Sequence, residues 1–238
     1  MFAARGLALG WGVAAAVAGA VLLGSCGPSD PSARSLLTGA ARAMAPLSYH
    51  LQGSDRAGDA KVSFSVQERA NGDFSGQVDF AVPPSPVLST QVVAVGDRVY
   101  VLSPGALSQL GITSLPGNLN PATTWVLQPS TAGSRYRQSV SPFVGAGLTA
   151  TLKLVLRGQP TVRAATLSGS PVWLLEERPQ RGPSLSLYLQ QGSDRLVLLT
   201  VSGPDGIQLR YKDFNRVAPV ALPPSGQVYV PPTPAPGA

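Results

Sequence analysis

From residue 49 onward the chain alternates between apolar and polar positions. Val62, Phe64 and Val66 are interleaved with Lys61, Ser63, Ser65 and Gln67, so a strand through them has one apolar and one polar face. Asn71-Gly72 follows, a two-residue hairpin signal, and Phe74, Gly76, Val78, Phe80 and Val82 repeat the alternation. Beyond the Pro-rich connection from Pro83 to Pro86, a strand over Thr90–Val95 turns at Gly96-Asp97 into Arg98–Leu102. The last third returns to the same pattern, with strands expected at Val162–Leu167, Val172–Glu177, Leu185–Leu189, Leu196–Val201 and Ile207–Phe214. Their connectors, among them Ser168-Gly169-Ser170-Pro171 and Gly203-Pro204-Asp205-Gly206, carry turn chemistry.

Helical spacing replaces the alternation ahead of residue 49. Asp30-Pro31 predicts an N-cap with proline in the first helical position. Leu36, Leu37, Ala40, Ala43, Met44 and Leu47 then recur three or four apart, until Pro46 and the β-prone Ser48-Tyr49 end the helix. The middle, from Pro104 to Gly158, is less regular. Short helices are expected at Ala106–Leu110 and Val140–Leu148, with a strand at Thr124–Leu127 carrying Trp125. Residues 149–157 fit helix or strand, and strand is favoured. The segment from Pro219 to Ala238 holds seven prolines in 20 residues and is expected to run extended and unpaired, draped over the domain or disordered.

These elements predict a mainly β (α+β) domain: a curved antiparallel sheet forming an open half-barrel of about ten or eleven strands. An N-terminal helix and one or two central helices are expected to cover its concave face.

The N-terminus changes the picture of where this domain works. Arg5 is the only charged side chain before Asp30, and an apolar run from Leu7 to Leu23 follows it, the layout of an export signal. Leu23-Gly24-Ser25-Cys26 then resembles the lipobox of bacterial lipoproteins, in which the cysteine is diacylated and the signal is cleaved before it. An uncleaved transmembrane anchor or an ordinary secretory signal are the competing readings. Against both, Cys26 is the only cysteine in 238 residues and stands where lipidation requires it. The implied division is a signal over 1–25, an acylated tether over 26–32, one domain over 33–217 and a Pro-rich tail over 218–238. A tether that spans at most about 3.5 Å per residue holds the domain close to its membrane, on the periplasmic or cell-wall side. Gly27 does not settle which membrane that is. No second cysteine exists, so burial and not a disulfide must stabilise the fold.

Charge adds little. The formal net charge is +6, spread along the chain, with Arg far outnumbering Lys. There is no dense basic run, and a nucleic-acid partner is not expected. Chemistry is sparse too. His50 is the only histidine, which excludes a multi-histidine metal site, and no Gly-x-Ser-x-Gly elbow or phosphate-cradling loop occurs. Glu176 and Glu177 are adjacent on a strand and point to opposite faces, so they cannot pair as acid and base. No enzyme, metal or cofactor is expected, and His50 is expected to be exposed or hydrogen-bonded in a structural role. The remaining candidate is apolar: Val62, Phe64, Val66, Val78 and Phe80 from the first block, with Leu185, Leu187, Leu189, Leu209 and Tyr211 from the second. These side chains either line a cavity for acyl chains or fill an ordinary core.

The order of elements resembles the LolA/LolB-like half-barrel lipoproteins, and especially the LprG/LppX type. The resemblance is carried by Ser35 to Pro46 leading into Tyr49-His50-Leu51-Gln52-Gly53, by Gly72-Asp73-Phe74-Ser75-Gly76, and by Val95-Gly96-Asp97-Arg98-Val99-Tyr100-Val101. Trp125, the Leu167 to Trp173 hairpin and the layout of Leu185 to Phe214 complete it. It implies a monomer that binds lipid or acylated molecules in an apolar cavity between sheet and helices, for carriage across the envelope. An envelope sensor or assembly factor that binds a protein partner with the same fold is the alternative, suggested by the Pro-rich tail.

Overall fold

Ser32 starts the first helix. In the computed structural model its hydroxyl accepts from the Ser35 amide at 3.1 Å, and the helix (α1) runs over Ala33–Met44. Pro31 precedes the cap and is not the first helical residue. The shift has a simple cause: serine's short hydroxyl reaches the amide three residues on, which satisfies a donor the helix leaves open. Leu36, Leu37, Ala40 and Met44 form the buried stripe along one face. The structure describes residues 31–57, 59–81, 84–85, 87–103, 105, 107, 112, 115, 117, 119–130, 133–134, 148, 152, 159–178, 183–203 and 206–232. The export signal and Cys26 lie outside them.

Everything else hangs on one sheet. Its strands are β1 (Tyr49–Ala57), β2 (Ala60–Glu68), β3 (Phe74–Ala81), β4 (Leu88–Val95), β5 (Arg98–Leu102), β6 (Trp125–Leu127), β7 (Thr161–Leu167), β8 (Ser170–Glu177), β9 (Ser184–Gln190), β10 (Leu196–Ser202), β11 (Ile207–Lys212) and β12 (Val228–Tyr229). The order across the sheet is β12-β6-β5-β4-β3-β2-β1-β11-β10-β9-β8-β7. Two antiparallel meanders, one from each half of the chain, are thus joined side by side through β1 and β11. Their register pairs Leu51 with Tyr211 and Gly53 with Leu209. The sheet is open and curved, with α1 packed against one face, hereafter the inner face.

Three local expectations need correction. Asn71-Gly72 does mark the β2–β3 turn, but the connection is five residues long, since Glu68 pairs with Phe74. Asn71 accepts from the Asp73 amide at 3.1 Å and donates to the Asp73 carboxylate at 2.8 Å, which stabilises the wider loop. Gly96-Asp97 and Ser168-Gly169 are two-residue turns, with Gly96, Ser168 and Gly169 all at positive φ. Second, Leu152 is helical, as is Leu148 one turn earlier. Both are buried against α1 and the C-terminal strands, so at this residue the helix reading of 149–157 wins over the strand. Third, the Pro-rich tail is extended but not unpaired. Just ahead of the tail, the Asn215 amide donates to the Ser48 carbonyl at 2.7 Å, and Arg69 Nη1 donates to the Val217 carbonyl at 2.8 Å. A 3-10 turn at Ser225–Gln227 then delivers Val228–Tyr229 parallel to Trp125–Val126 of β6. This strap covers what would be an edge strand, and Pro231-Pro232 beyond it cannot extend the pairing.

The core has two parts. One joins α1, Leu148 and Leu152 to Tyr49, Leu51, Leu175, Leu187, Leu189, Leu199, Leu209 and Tyr211. The other joins Leu107 to Val66, Phe74, Val92, Ala94, Val99, Val101 and Val126. Phe64 touches both. Its place depends on Gly53, directly opposite on β1: a Cβ there would collide with the Phe64 ring and lie 2.7 Å from Leu209 Cδ2. On the other flank, a Cβ on Gly76 would stand 2.5 Å from the Ser65 carbonyl oxygen, so β2 and β3 close tightly where the sheet bends.

Gly53→Ala tests this arrangement by the sign of its effect. Strand propensity alone favours alanine by up to about 1 kcal/mol. Displacing Phe64 costs about 1–3 kcal/mol instead. Urea unfolding is expected to show a net loss of stability, and a net gain would refute the packing.

Candidate functional site

Strand pairing decides which side chains share a face, because directly paired residues point the same way and neighbours alternate. Starting from Leu51, the register carries the inner face through Val66, Gly76, Val92 and Val101 in one direction and through Tyr211 in the other. A parallel row runs through Gly53, Phe64, Val78 and Thr90, and on the other side through Leu209, Leu199, Leu187 and Leu175. All ten apolar candidates from the sequence fall on this one face.

They do not share one environment. Val66, Leu187, Leu189, Leu209 and Tyr211 are sealed in the core, packed with the side chains named above. Val62, Phe64, Val78 and Leu185 are half-buried, and Phe80 is 41% exposed. The division follows the strand ends. Near the Tyr49 end of β1 the face is covered by α1, Leu148 and Leu152. Towards the Ala57 end it runs out through Val62 and Phe80 to Leu88, which pairs with Phe80 and is 42% exposed. A continuous apolar surface therefore passes from a packed floor to an open rim.

A buried carboxyl stands in it at the packed end. Glu68 is the next inner-face position after Val62, Phe64 and Val66, paired with Tyr49 and Phe74. Only 4% of it is exposed, and its Oε2 has no hydrogen-bond partner. Burial raises its pKa from the usual 4.5 to about 7, against which a hydrogen bond from the Tyr49 side chain works in the opposite direction. Tyr211 is buried beside it, and both desolvation and the nearby Glu68 charge push its hydroxyl far above the ordinary phenol range. Tyr49 packs edge-on against Tyr211 at 5.5 Å between ring centres, so the carboxyl sits in an aromatic corner. The alternation Val62-x-Phe64-x-Val66-x-Glu68 contained this signal: a carboxylate in phase with an apolar face.

Glu176 and His50 lie on the opposite face. Glu176 pairs with Arg178 at 3.1 Å and Arg163 at 3.4 Å, and these contacts, Arg178 first, hold its pKa low. Glu177 points inward, as adjacent strand residues must, and burial alone raises its pKa. His50 is hydrogen-bonded: Nε2 lies 2.7 Å from Ser65 Oγ and Nδ1 lies 3.5 Å from Asp213 Oδ2. The order Ser–His–Asp is that of a hydrolytic triad. Ser65, however, sits inside β2 between β1 and β3, whose ladders engage the strand amides, so the strand offers no backbone donors for an oxyanion. The chain of contacts ties the residue after β11 to β1 and β2. Among the described residues no three His, Cys, Asp or Glu side chains gather as a metal site, and no helix is long and apolar enough to cross a membrane.

Glu68 makes the fold sensitive to pH. The folded state keeps a proton that the unfolded chain releases near pH 4.5, so stability falls as pH rises from about 4.5 to 7 and is level above that. The expected loss is about 3 kcal/mol. Chemical denaturation at pH 5 and pH 8 should show it, and Glu68→Gln should remove most of the difference. An unchanged pH profile in Glu68→Gln would contradict this assignment.

No protein family matches the chain, and no curated protein does. Several solved structures share features of its fold. An uncharacterised conserved protein from Thermus thermophilus is 15% identical, with a TM-score of 0.41 over 84% of this chain and 99% of its own. MucB of Pseudomonas aeruginosa, solved in complex with MucA, is 14% identical with a TM-score of 0.36, over 77% of this chain and 56% of its own. A LolA superfamily protein from Nitrosomonas europaea is 13% identical with a TM-score of 0.25, over 78% of this chain and 93% of its own. At these identities and scores the neighbours lend no activity, ligand or partner to this chain. The LprG/LppX assignment rests on the sequence resemblance alone.

Proposed function

We propose that this chain is an extracytoplasmic lipoprotein, anchored through a diacylglyceryl group on Cys26, that holds lipid or an acylated molecule on its inner face without transforming it. The observation that carries the reading is the apolar surface running from the core through Phe64, Val62 and Val78 to Phe80 and Leu88 at the rim. Side chains of this size left partly in water at the mouth of a curved sheet mark a surface that another apolar body covers. Acyl chains suit it: they need volume and dryness, not directional contacts. The anchor supports the same reading, since two chains give stable membrane attachment and the short tether keeps the domain beside its lipid source.

The alternative, a sensor or assembly factor that binds a protein partner, drew its motive from a free Pro-rich tail. Val228–Tyr229 of that tail pair with β6, while Leu222 and Val230 on either side of the paired residues stay 53% and 62% exposed.

Two measurements test the proposal. Labelling cells with a radioactive fatty acid should mark the wild-type protein and leave Cys26→Ala unmarked. Native mass spectrometry of the protein from its host's membranes should find non-covalent acyl lipid, which the pair Phe64→Gln and Val78→Gln reduces severalfold. Lipid-free wild-type protein in repeated preparations would end the holder reading, and a labelled Cys26→Ala variant would end the anchor.

A further inference from the structure

The two edges of the sheet differ. At one, the strap lays Val228–Tyr229 along β6, and Pro231-Pro232 follow it. At the other, β7 pairs with β8 alone among the described residues. The β7–β8 register is unbroken from Thr161 to Leu167, so no bulge twists the strand, and Pro160 precedes it instead of interrupting it. Arg163 is its one charged residue, and that guanidinium is tied to Glu176 of β8 at 3.4 Å. Thr161, Arg163, Ala164 and Thr166 are all exposed, Ala164 even though its register places it on the inner face. A regular, exposed edge of small side chains is what a second strand needs in order to add to a sheet.

The turn after β7 fixes which backbone groups face outward. Ser168 and Gly169 are both at positive φ, as in a type I′ turn, so Leu167 and Ser170 form a hydrogen-bonded pair. Bonded pairs alternate down the ladder: Leu167, Ala165, Arg163 and Thr161 bond β8, while Val162, Ala164 and Thr166 turn their N–H and C=O to the edge. The Pro171 carbonyl, opposite Thr166, agrees, since it accepts from the Gln191 amide at the end of β9.

We propose that this edge pairs antiparallel with β7 of a second copy, about a twofold axis at Ala164. In that register Ala164 meets Ala164, Val162 meets Thr166 and Arg163 meets Ala165 of the second copy. All three outward residues then give and take a bond, and two small side chains stand at the axis. Sliding the axis to Arg163 opposes the two guanidinium groups and sets Pro160, which has no N–H, against Thr166. Sliding it to Ala165 leaves Val162 opposite Ser168 of the turn. The sequence of β7 thus complements itself in one register, which singles out a second copy as the occupant. This departs from the monomer that the family resemblance implies.

A seven-residue edge buries less than the roughly 1,200 Å2 of a stable soluble dimer, so the pairing is weak and covalent trapping suits it. The test places Ala164→Cys in the full chain, in its host's membranes, and oxidises with copper phenanthroline. Bonded antiparallel partners lie about 5.5 Å apart between Cα atoms, within disulfide range. A disulfide-linked dimer is expected severalfold above the level in the wild type, whose only cysteine is Cys26. Thr161→Cys, exposed on the same strand, should stay at the wild-type level, because its two copies lie roughly 20 Å apart in this register. Adding Ala165→Arg to Ala164→Cys sets a cation against Arg163 of the second copy and should cut the dimer severalfold, whereas Ala165→Glu should preserve it. Equal trapping at Thr161 and Ala164, or none at Ala164, would overturn the proposal. So would a product of any other mass, which would put a different protein on the edge.

Discussion

The pairing of β1 with β11 is the constraint on which the rest of the molecule depends. It joins residues about 160 positions apart, and nothing local enforces it. Without it each half of the chain is a meander with an apolar face and a free edge. With it, the two faces become one, α1 bridges from β1 onto the C-terminal strands, and Tyr211 comes to lie against Tyr49 and Glu68. Such non-local closure must overcome loop entropy before it returns any burial, so the fold is expected to form slowly, after its hairpins. The strap after β11 adds to the same junction, since Asn215 binds Ser48 and Val217 binds Arg69 on either side of β1 and β2.

Register does more than bury leucines. Because side chains alternate with period two, a slip of one residue in any strand would bring Lys61, Arg163 or Arg210 to the inner face and put its apolar set in water. The cost of such a slip is several kcal/mol for each buried unpaired cation. The sorting of charge between the faces is therefore a folding constraint. Glu68 is the exception, a carboxyl kept where Val or Leu would pack better. Its cost in stability builds between about pH 4.5 and 7 and is complete above that, where the hydrogen bond from Tyr49 only partly offsets the lost hydration of the buried charge.

Much of this was legible in the residues, and the failures are instructive. The alternation of Val62, Phe64 and Val66 with polar neighbours assigned the inner face correctly, and the same rule placed all ten apolar candidates together. What alternation could not show is depth. Leu187 and Phe80 look alike in sequence, yet one is fully buried and the other 41% exposed, because coverage is decided by α1 and by where Leu148 and Leu152 fall. The tail's pairing was hidden for a related reason: seven prolines speak for an extended chain, but Val228–Tyr229 finds its partner only because the meander leaves β6 at an edge. Leu152 was misread as strand because a short apolar run has no period of its own.

The division of the core sets a filled half of the sheet beside a half whose apolar side chains stay partly in water. On the C-terminal side, α1 fills the curve, and each sealed leucine contributes about 2–3 kcal/mol through burial. On the N-terminal side, Phe64 stands at the boundary, in contact with both clusters and placed there by the missing side chain of Gly53. Beyond it Val62, Val78 and Phe80 continue the apolar face, the first two half-buried and the last 41% exposed. Under the proposed function, a ligand seated there would add burial without replacing any core contact, so binding and release would not require the domain to unfold. A half-barrel filled evenly from end to end would be more stable and would have no room for this. Uneven filling, set by two glycines and one helix, is what gives the inner face a floor and a mouth.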